Sequence, residues 1–226
     1  MTRTEAVEAI LVGIERAGQA ASDGIDVLGV GEMGIGNTTT SSAVLSALTG
    51  LSVETVTGRG GGLTDAAFEN KKKIIARVLE LHGLDTYQQA APDNESDVVG
   101  ILAKVGGLDI AAMCGVYLGA AAYRIPVVID GFISIVAALC AQRLCEVSRD
   151  YMFPSHVSEE IGYMRAAEEL HLDPWLHLNM RLGEGSGCPL AFQILKASCA
   201  LMNHMATFEG AQIDDGYLTE LRAMQA

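Results

Sequence analysis

Apolar side chains recur at helical spacing along much of the chain. In residues 2–21 they fall three or four positions apart, so one face of a helix would carry Ala6, Ile10, Ile14 and Ala17. Further helices are predicted at approximately residues 39–48, 68–82, 106–124, 133–144, 159–170 and 189–208. The chain is therefore expected to be rich in helices.

Short apolar runs that lead into glycine turns separate these helices. Segments 25–32, 52–58 and 125–131 are predicted as buried strands. The repeated order of strand, glycine turn and helix predicts an α/β fold with a doubly wound, mostly parallel sheet and helices on both faces (Rossmann-like). The C-terminal helices would form a small subdomain within one domain, 1–226. The polar segment 91–97 is predicted as a surface connection.

An acidic composition narrows the range of partners. The 226 residues include 28 Asp and Glu against 15 Lys and Arg, which gives a net charge of −13. Because such a chain repels phosphate backbones and anionic lipid surfaces, neither nucleic acid nor a membrane is expected as a partner. The longest uninterrupted apolar run, Ile110–Tyr123, is too short to span a bilayer. An anionic ligand would have to be held by local backbone geometry.

The cysteines indicate a reducing compartment. The chain has 5 of them, none forms a C-x-x-C pair, and most lie in apolar runs. Buried free thiols are therefore expected, rather than a zinc site or a disulfide. The first helix is amphipathic and acidic, unlike a signal peptide. We expect a cytoplasmic protein.

Residues 29–40, GVGEMGIGNTTT, match two phosphate-binding motifs incompletely. Gly29, Gly31 and Gly34 satisfy G-x-G-x-x-G, the dinucleotide motif. Counted from Gly31, the segment is also a Walker A loop with Asn37 in place of its lysine. Neither motif is specific on these residues alone.

Glu32 argues against both motifs. A carboxylate in a loop without lysine makes a triphosphate an awkward ligand, and it would intrude where a pyrophosphate approaches. We expect a single phosphate group, bound by backbone amides at the start of a helix. The residues of this nest would be Gly34, Gly36, Asn37 and Thr38. The alternative is a purely structural strand–helix turn.

A second glycine turn, GRGGG at 58–62, also precedes a helix. Ordering four glycines in five residues costs considerable chain entropy on folding. We therefore expect a compensating reason for them, namely that the backbone approaches another group closely. One of the consecutive residues Lys71, Lys72 and Lys73 could turn inward as the cation of a phosphate site. The alternative is that all three form a solvated face.

The loop MRLGEGSG, residues 180–187, carries Glu184 between two glycines. A carboxylate that is partly buried at the end of an apolar run is suited to proton abstraction. The alternative is that the loop caps the helix that begins near Pro189.

Three further polar residues are candidates. Asp130, at the end of a predicted strand, would reach the ligand crevice. Ser158, just before Glu159 and Glu160, is a candidate helix N-cap that could also donate a hydrogen bond to a phosphate. His156 is expected to be a structural histidine.

Six segments together resemble one family, the nicotinate-nucleotide–dimethylbenzimidazole phosphoribosyltransferases. They occur in the family's order: GEMGIGNTTT, the GRGGG turn with Lys71, VGGLDIAAM, PVVIDGF, PSHVSEE and MRLGEGSG. The resemblance implies transfer of phosphoribose from nicotinate mononucleotide to a benzimidazole nitrogen, giving α-ribazole 5′-phosphate and nicotinate. It implies no cofactor and no metal, since the pyridinium leaving group departs neutral.

The resemblance also assigns roles to individual residues. Glu184 matches the general base, and Glu32 matches a second carboxylate at the ribose or the developing cation. Phosphate contacts would be made by Gly34, Gly36, Asn37, Thr38, Lys71 and Ser158. The ribose and base pocket would be shaped by Gly58, Gly60, Asp130, Gly131, Leu182 and Gly183.

The chain departs from the family at its N-terminus, where familiar members are considerably longer. A separate polypeptide could supply the additional portion, the chain could accept another base or none, or it could be a regulatory relative. A homodimer or a hetero-oligomer is expected. The competing functions are a non-catalytic subunit that binds nicotinate mononucleotide and, more remotely, an NAD-binding oxidoreductase.

Overall fold

The computed structural model describes residues 1–85, 97–213 and 216. The helices in this part of the chain are α1 (Arg3–Ser22), α2 (Asn37–Thr49), α3 (Val53–Val56), α4 (Asp65–Leu81), α5 (Val98–Val105), α6 (Leu108–Tyr123), α7 (Phe132–Leu144), α8 (Ile161–Leu170) and α9 (Cys188–His204). The strands are β1 (Leu28–Val30), β2 (Val127–Ile129), β3 (Met152–Pro154), β4 (His156–Ser158) and β5 (Leu176–Met180), and a 3-10 helix covers Glu146–Tyr151.

Two parallel sheets organise the fold. In the first, β2 lies between β1 and β3, with Val128 opposite both Gly29 and Phe153. All three β2 residues are completely buried, as expected for a central parallel strand of β-branched side chains. In the second sheet β4 pairs with β5. These parallel sheets and their connecting helices confirm the α/β class predicted from the sequence.

A single residue joins the two sheets. Ser155 lies between β3 and β4, and its amide donates to the carbonyl of Ile129 at 3.0 Å. The carboxyl end of β2 therefore lies beside the start of the second sheet. This junction brings loops from both sheets to one place.

The predicted strand over 52–58 is wrong. Ser52 is the N-cap of α3, a single helical turn in which Val53 and Val56 are both buried. These two valines are three positions apart and share one helix face, so burial in the core outweighs the strand preference of β-branched side chains.

Close contact between α1 and α6 depends on glycine. A Cβ on Gly13 would clash with the backbone of Ala112, and one on Gly115 would clash with the carbonyl of Ile10. The two backbones therefore approach more closely than larger side chains would allow. This contact holds α1 against the core, where Ala6, Ile10 and Ala17 are buried as predicted.

The chain divides into two compact units, Met1–Ala191 and Phe192–Ala226. All residues of the site described below belong to the first unit. Within the described ranges, no helix is long and apolar enough to cross a membrane. The predicted surface connection at 91–97 lies outside the described residues except for Asp97, the N-cap of α5.

Candidate active site

A cleft of about 170 Å³ lies beyond the carboxyl ends of β1, β2 and β4. This is the position predicted for a ligand in a parallel α/β fold. The predicted site residues that line the cleft are Glu32, Gly34, Asn37, Thr38, Gly60, Asp130, Gly131, Ser158, Leu182 and Gly183. Segments far apart in the sequence are therefore brought together at one site.

The loop after β1 leads directly into α2. Gly36 is the N-cap of this helix and has a φ of 89°, a left-handed conformation that favours glycine. Asn37 and Thr38 occupy the first turn, so the unpaired amides and the positive end of the helix dipole face this end of the cleft. The arrangement is suited to one anionic group.

The Asn37 side chain joins two carboxylates. Its Nδ2 donates to Glu32 Oε2 and, at 3.0 Å, to Asp109 Oδ2 in the first turn of α6. The amide of Gly34 also donates to Glu32 Oε2, at 2.8 Å. Because both donors of the Asn37 amide are used, the side chain positions Glu32, and the backbone amide is the part of Asn37 suited to a phosphate.

Lys71 is the lysine that turns inward. Its side chain is only 5% exposed, and Nζ donates to Thr38 Oγ1 and to the carbonyl of Gly58, each at 2.9 Å. Burial lowers the pKa of Lys71, and the charge of Glu160 partly opposes this effect. Lys72 instead pairs with Glu69 on the helix surface.

Two glycines of the 58–62 turn are explained by contacts within the protein. A Cβ on Gly58 would clash with the carboxylate of Glu160, and one on Gly60 would lie 2.9 Å from Thr38 Oγ1. The close approach predicted for this turn therefore involves these side chains. Gly60 lines the cleft, whereas Gly58 contributes its carbonyl to Lys71.

The carboxylate of Asp130 holds the 183–187 loop. It is 1% exposed, and its oxygens accept hydrogen bonds from the amides of Gly185 at 3.0 Å and Gly187 at 2.7 Å. His156 is equally buried, with Nδ1 2.9 Å from Ser155 Oγ. Burial lowers the pKa of His156, which agrees with a structural histidine.

The loop also contacts the segment after β1. Its amide at Glu184 donates to the carbonyl of Glu32 at 3.1 Å, and Gly31 leaves room for the backbone of Gly185. Glu184 has a φ of 58°, an uncommon conformation for a residue other than glycine. The two candidate catalytic carboxylates are thus carried on adjacent backbone segments.

The Glu184 side chain is exposed, so the partial burial expected for a general base is absent in this chain alone. Leu182, which lines the cleft, is 67% exposed, and Ile35 in the loop after β1 is fully exposed. Ser158, in contrast, is buried at the end of β4, and the N-cap of α8 is Glu160 rather than Ser158.

The sequence interpretation missed Asp109 and Glu160. Asp109 follows the glycine pair before α6, and Glu160 follows the segment PSHVS. Acidic residues at helix starts are common, so the sequence offered no reason to single them out. Among the described residues, no group of three or more His, Cys, Asp or Glu side chains could hold a metal ion.

Comparisons with known proteins relate the chain to one family. A family model described as phosphoribosyltransferase (DBI_PRT) matches residues 1–213. A nicotinate-nucleotide–dimethylbenzimidazole phosphoribosyltransferase of Clostridium perfringens is 54% identical over 222 residues, covering 98% of this chain and 59% of that protein. The enzyme of the same name from Clostridium tetani is 44% identical over 223 residues, with the same two coverages, 98% and 59%.

Solved structures show the same fold. The crystal structure of CobT from Thermus thermophilus superimposes with a TM-score of 0.85 at 37% identity, covering 95% of this chain and 61% of that one. The chain thus spans 59% of the length of the first two curated relatives. The chain belongs to the nicotinate-nucleotide–dimethylbenzimidazole phosphoribosyltransferase family.

Proposed function

We propose that the chain transfers phosphoribose from nicotinate mononucleotide to 5,6-dimethylbenzimidazole or a related azole, giving α-ribazole 5′-phosphate and nicotinate. Family membership supports the reaction class. The observation that supports the proposal most directly is the 3.1 Å hydrogen bond from the Glu184 amide to the Glu32 carbonyl. It brings the loop that carries Glu184 next to a cleft lined by Glu32, Asn37 and Thr38.

The proposed phosphate subsite is at the start of α2. The first-turn amides and Thr38 would bind the phosphate, with Lys71 supplying the positive charge behind Thr38. Ser158, at the end of β4, lines the same cleft and could donate a further hydrogen bond. In an acidic chain this local arrangement replaces a positive surface field.

The proposed chemistry is a displacement at C1′ of the ribose. An azole nitrogen attacks C1′ while the bond to the nicotinate nitrogen breaks, and the bonding electrons return to the pyridine ring. Glu184 accepts the proton from the azole, and Glu32 stabilises the positive charge that develops at the ribose. No cofactor, metal, oxidant or reductant is needed.

Additional protein is proposed to complete the base pocket. The exposed side chains of Glu184, Leu182 and Ile35 are suited to being covered by the incoming base or by a second chain. We propose a homodimer or a hetero-oligomer in the cytoplasm. Native mass spectrometry with the turnover assay would distinguish an active dimer from a chain that needs a different partner.

Turnover by the homodimer, or by the chain with its partner supplied, tests the proposal. Nicotinate should be released when both nicotinate mononucleotide and dimethylbenzimidazole are present, and Glu184→Gln should reduce kcat by about 10²–10⁴-fold, the contribution of a general base. Glu8→Gln is the matched control, since Glu8 is an exposed carboxylate on α1. An unchanged rate in Glu184→Gln would remove Glu184 from the mechanism.

The second candidate is a non-catalytic subunit that binds nicotinate mononucleotide. The exposed Glu184 side chain favours it, because a general base is usually shielded from water. Calorimetry would then show binding of the mononucleotide, with no nicotinate released for any azole, even after a partner chain is added.

A further inference from the structure

Lys71 is a nearly buried cation whose direct hydrogen-bond partners in the described part of the chain are neutral. Nζ donates to the Thr38 hydroxyl and to the Gly58 carbonyl, each at 2.9 Å. An ammonium group has three donors, so one remains for a ligand. Burial disfavours the charged form of an ammonium group, and a negative charge nearby opposes this effect.

Glu160 supplies a negative charge on the other side of Gly58. Its carboxylate packs where a side chain of residue 58 would lie, and Gly58 is thus in contact with both charged groups. Oε2 of Glu160 is buried and has no hydrogen-bond partner among the described residues. Burial raises the pKa of Glu160, and the charge of Lys71 and the backbone amide of Gly60 oppose this increase.

Other charged groups near these two residues are engaged elsewhere. On α4, Lys72 pairs with Glu69, and in the glycine turn Arg59 donates to Asp65 at 2.6 Å. Lys73 lines a separate cavity beside α2 and α3.

The cleft wall around Glu160 shows the same pattern. Arg181 lies 3.9 Å from Glu159, Asp130 accepts two amide hydrogen bonds, and Glu32 is held by Asn37. Among the described residues, the carboxylate of Glu160 is the charged group that opposes the effect of burial on the pKa of Lys71.

We infer that Glu160 is a positioning residue for the phosphate subsite, which keeps Lys71 charged and oriented before a phosphate monoester binds. This inference rests on the proposed function for the identity of the ligand. Glu160 need not touch the phosphate, because it acts through Lys71 and the 58–60 backbone. The glycine at 58 is explained by the same arrangement, since any side chain there would displace the Glu160 carboxylate.

A ligand-free titration tests the electrostatic interaction between Glu160 and Lys71. The ¹³Cε shift of Lys71 is followed by NMR from neutral to alkaline pH in the wild type, Glu160→Gln and Glu159→Gln. Loss of an opposite charge should move the Lys71 midpoint down by roughly one pH unit in Glu160→Gln. Glu159→Gln removes the same charge one residue away and should leave it in place. Equal midpoints in all three proteins would overturn the inference.

Binding of ribose 5-phosphate tests the role. As the pH is raised over the same range, calorimetry should show that Glu160→Gln loses affinity for ribose 5-phosphate at a lower pH than the wild type does. In a Lys71→Met background Glu160→Gln should have no further effect on this profile. A shifted Lys71 midpoint without any ribose 5-phosphate binding by the wild type would preserve the pair but refute its role and the proposed phosphate subsite. An unshifted midpoint with normal turnover would refute only the role of Glu160.

Discussion

The carboxylate of Asp130 accepts a 2.7 Å hydrogen bond from the backbone amide of Gly187, and the two residues are 57 positions apart in the sequence. A second bond, from Gly185, uses the other oxygen of the same carboxylate. The end of β2 thus holds the loop that carries Glu184. Asp130 lines the cleft as predicted, and its carboxylate is also bound to the backbone of the candidate catalytic loop.

Replacing Asp130 by Asn should loosen this loop. One amide NH₂ would then face a backbone N–H, which leaves a buried donor unpaired. Hydrogen exchange at Gly185 and Gly187 should become faster, and nicotinate release should fall by about 10²-fold, since small misplacements of a reacting group are costly. Asp150→Asn, an exposed site on the 3-10 helix, is the control. Unchanged exchange at both amides would contradict the positioning role.

Replacing Gly115 by Ala should lower the free energy of unfolding. A methyl group there would meet the carbonyl of Ile10, so Gly115→Ala must separate α1 from α6. We expect a loss of about 1–3 kcal/mol in the free energy of unfolding, the usual cost of overpacking, measured by urea denaturation. Gly61→Ala is the control because a Cβ at Gly61 would meet nothing within 4 Å. Equal stability of the two variants would show that α1 adjusts freely.

Acidification should destabilise the protein partly through His156. Burial lowers its pKa below the ordinary 6.5, while the nearby Asp130 charge only partly opposes this. Below about pH 6.5, His156 takes up a proton in the unfolded chain but not in the folded protein. The contribution of neutral His156 to the free energy of unfolding is therefore present above that pH and is lost as the pH falls toward the lowered pKa of the folded state. Unfolding free energies measured at about pH 7 and about pH 5 should therefore differ less in His156→Gln than in the wild type.

The exposed His177 on β5 provides the comparison. His177→Gln should lose as much stability on acidification as the wild type. The same pH dependence in both variants would show that other groups, rather than His156, account for the acid sensitivity.

Local pattern was sufficient for most of the fold and for part of the site. The helix over 2–21 and the strand within 125–131 were predicted because apolar spacing and β-branched runs depend on nearby residues alone. Glycine turns were located correctly for the same reason, since a left-handed residue such as Gly36 is a local backbone requirement. The family motifs then identified the segments that line the cleft.

Local pattern failed where the environment outweighed it. Val53 and Val56 have β-branched side chains that favour a strand, yet this segment forms one helical turn because that turn buries both of them on the same face. Likewise, the glycines at 58 and 60 indicated a close approach without saying to what, and the answer is the side chains of Glu160 and Thr38.

The sequence by itself determined the order of the elements, the glycine turns and the residues that could carry chemistry, because these depend on short-range backbone and side-chain preferences. Tertiary structure alone decided the partners: Asn37 bonds to Asp109, 72 residues away, and Asp130 holds the Glu184 loop. Such pairings arise only when separate elements pack around one core. Burial then makes every unpaired polar group costly, and this selects one arrangement of partners.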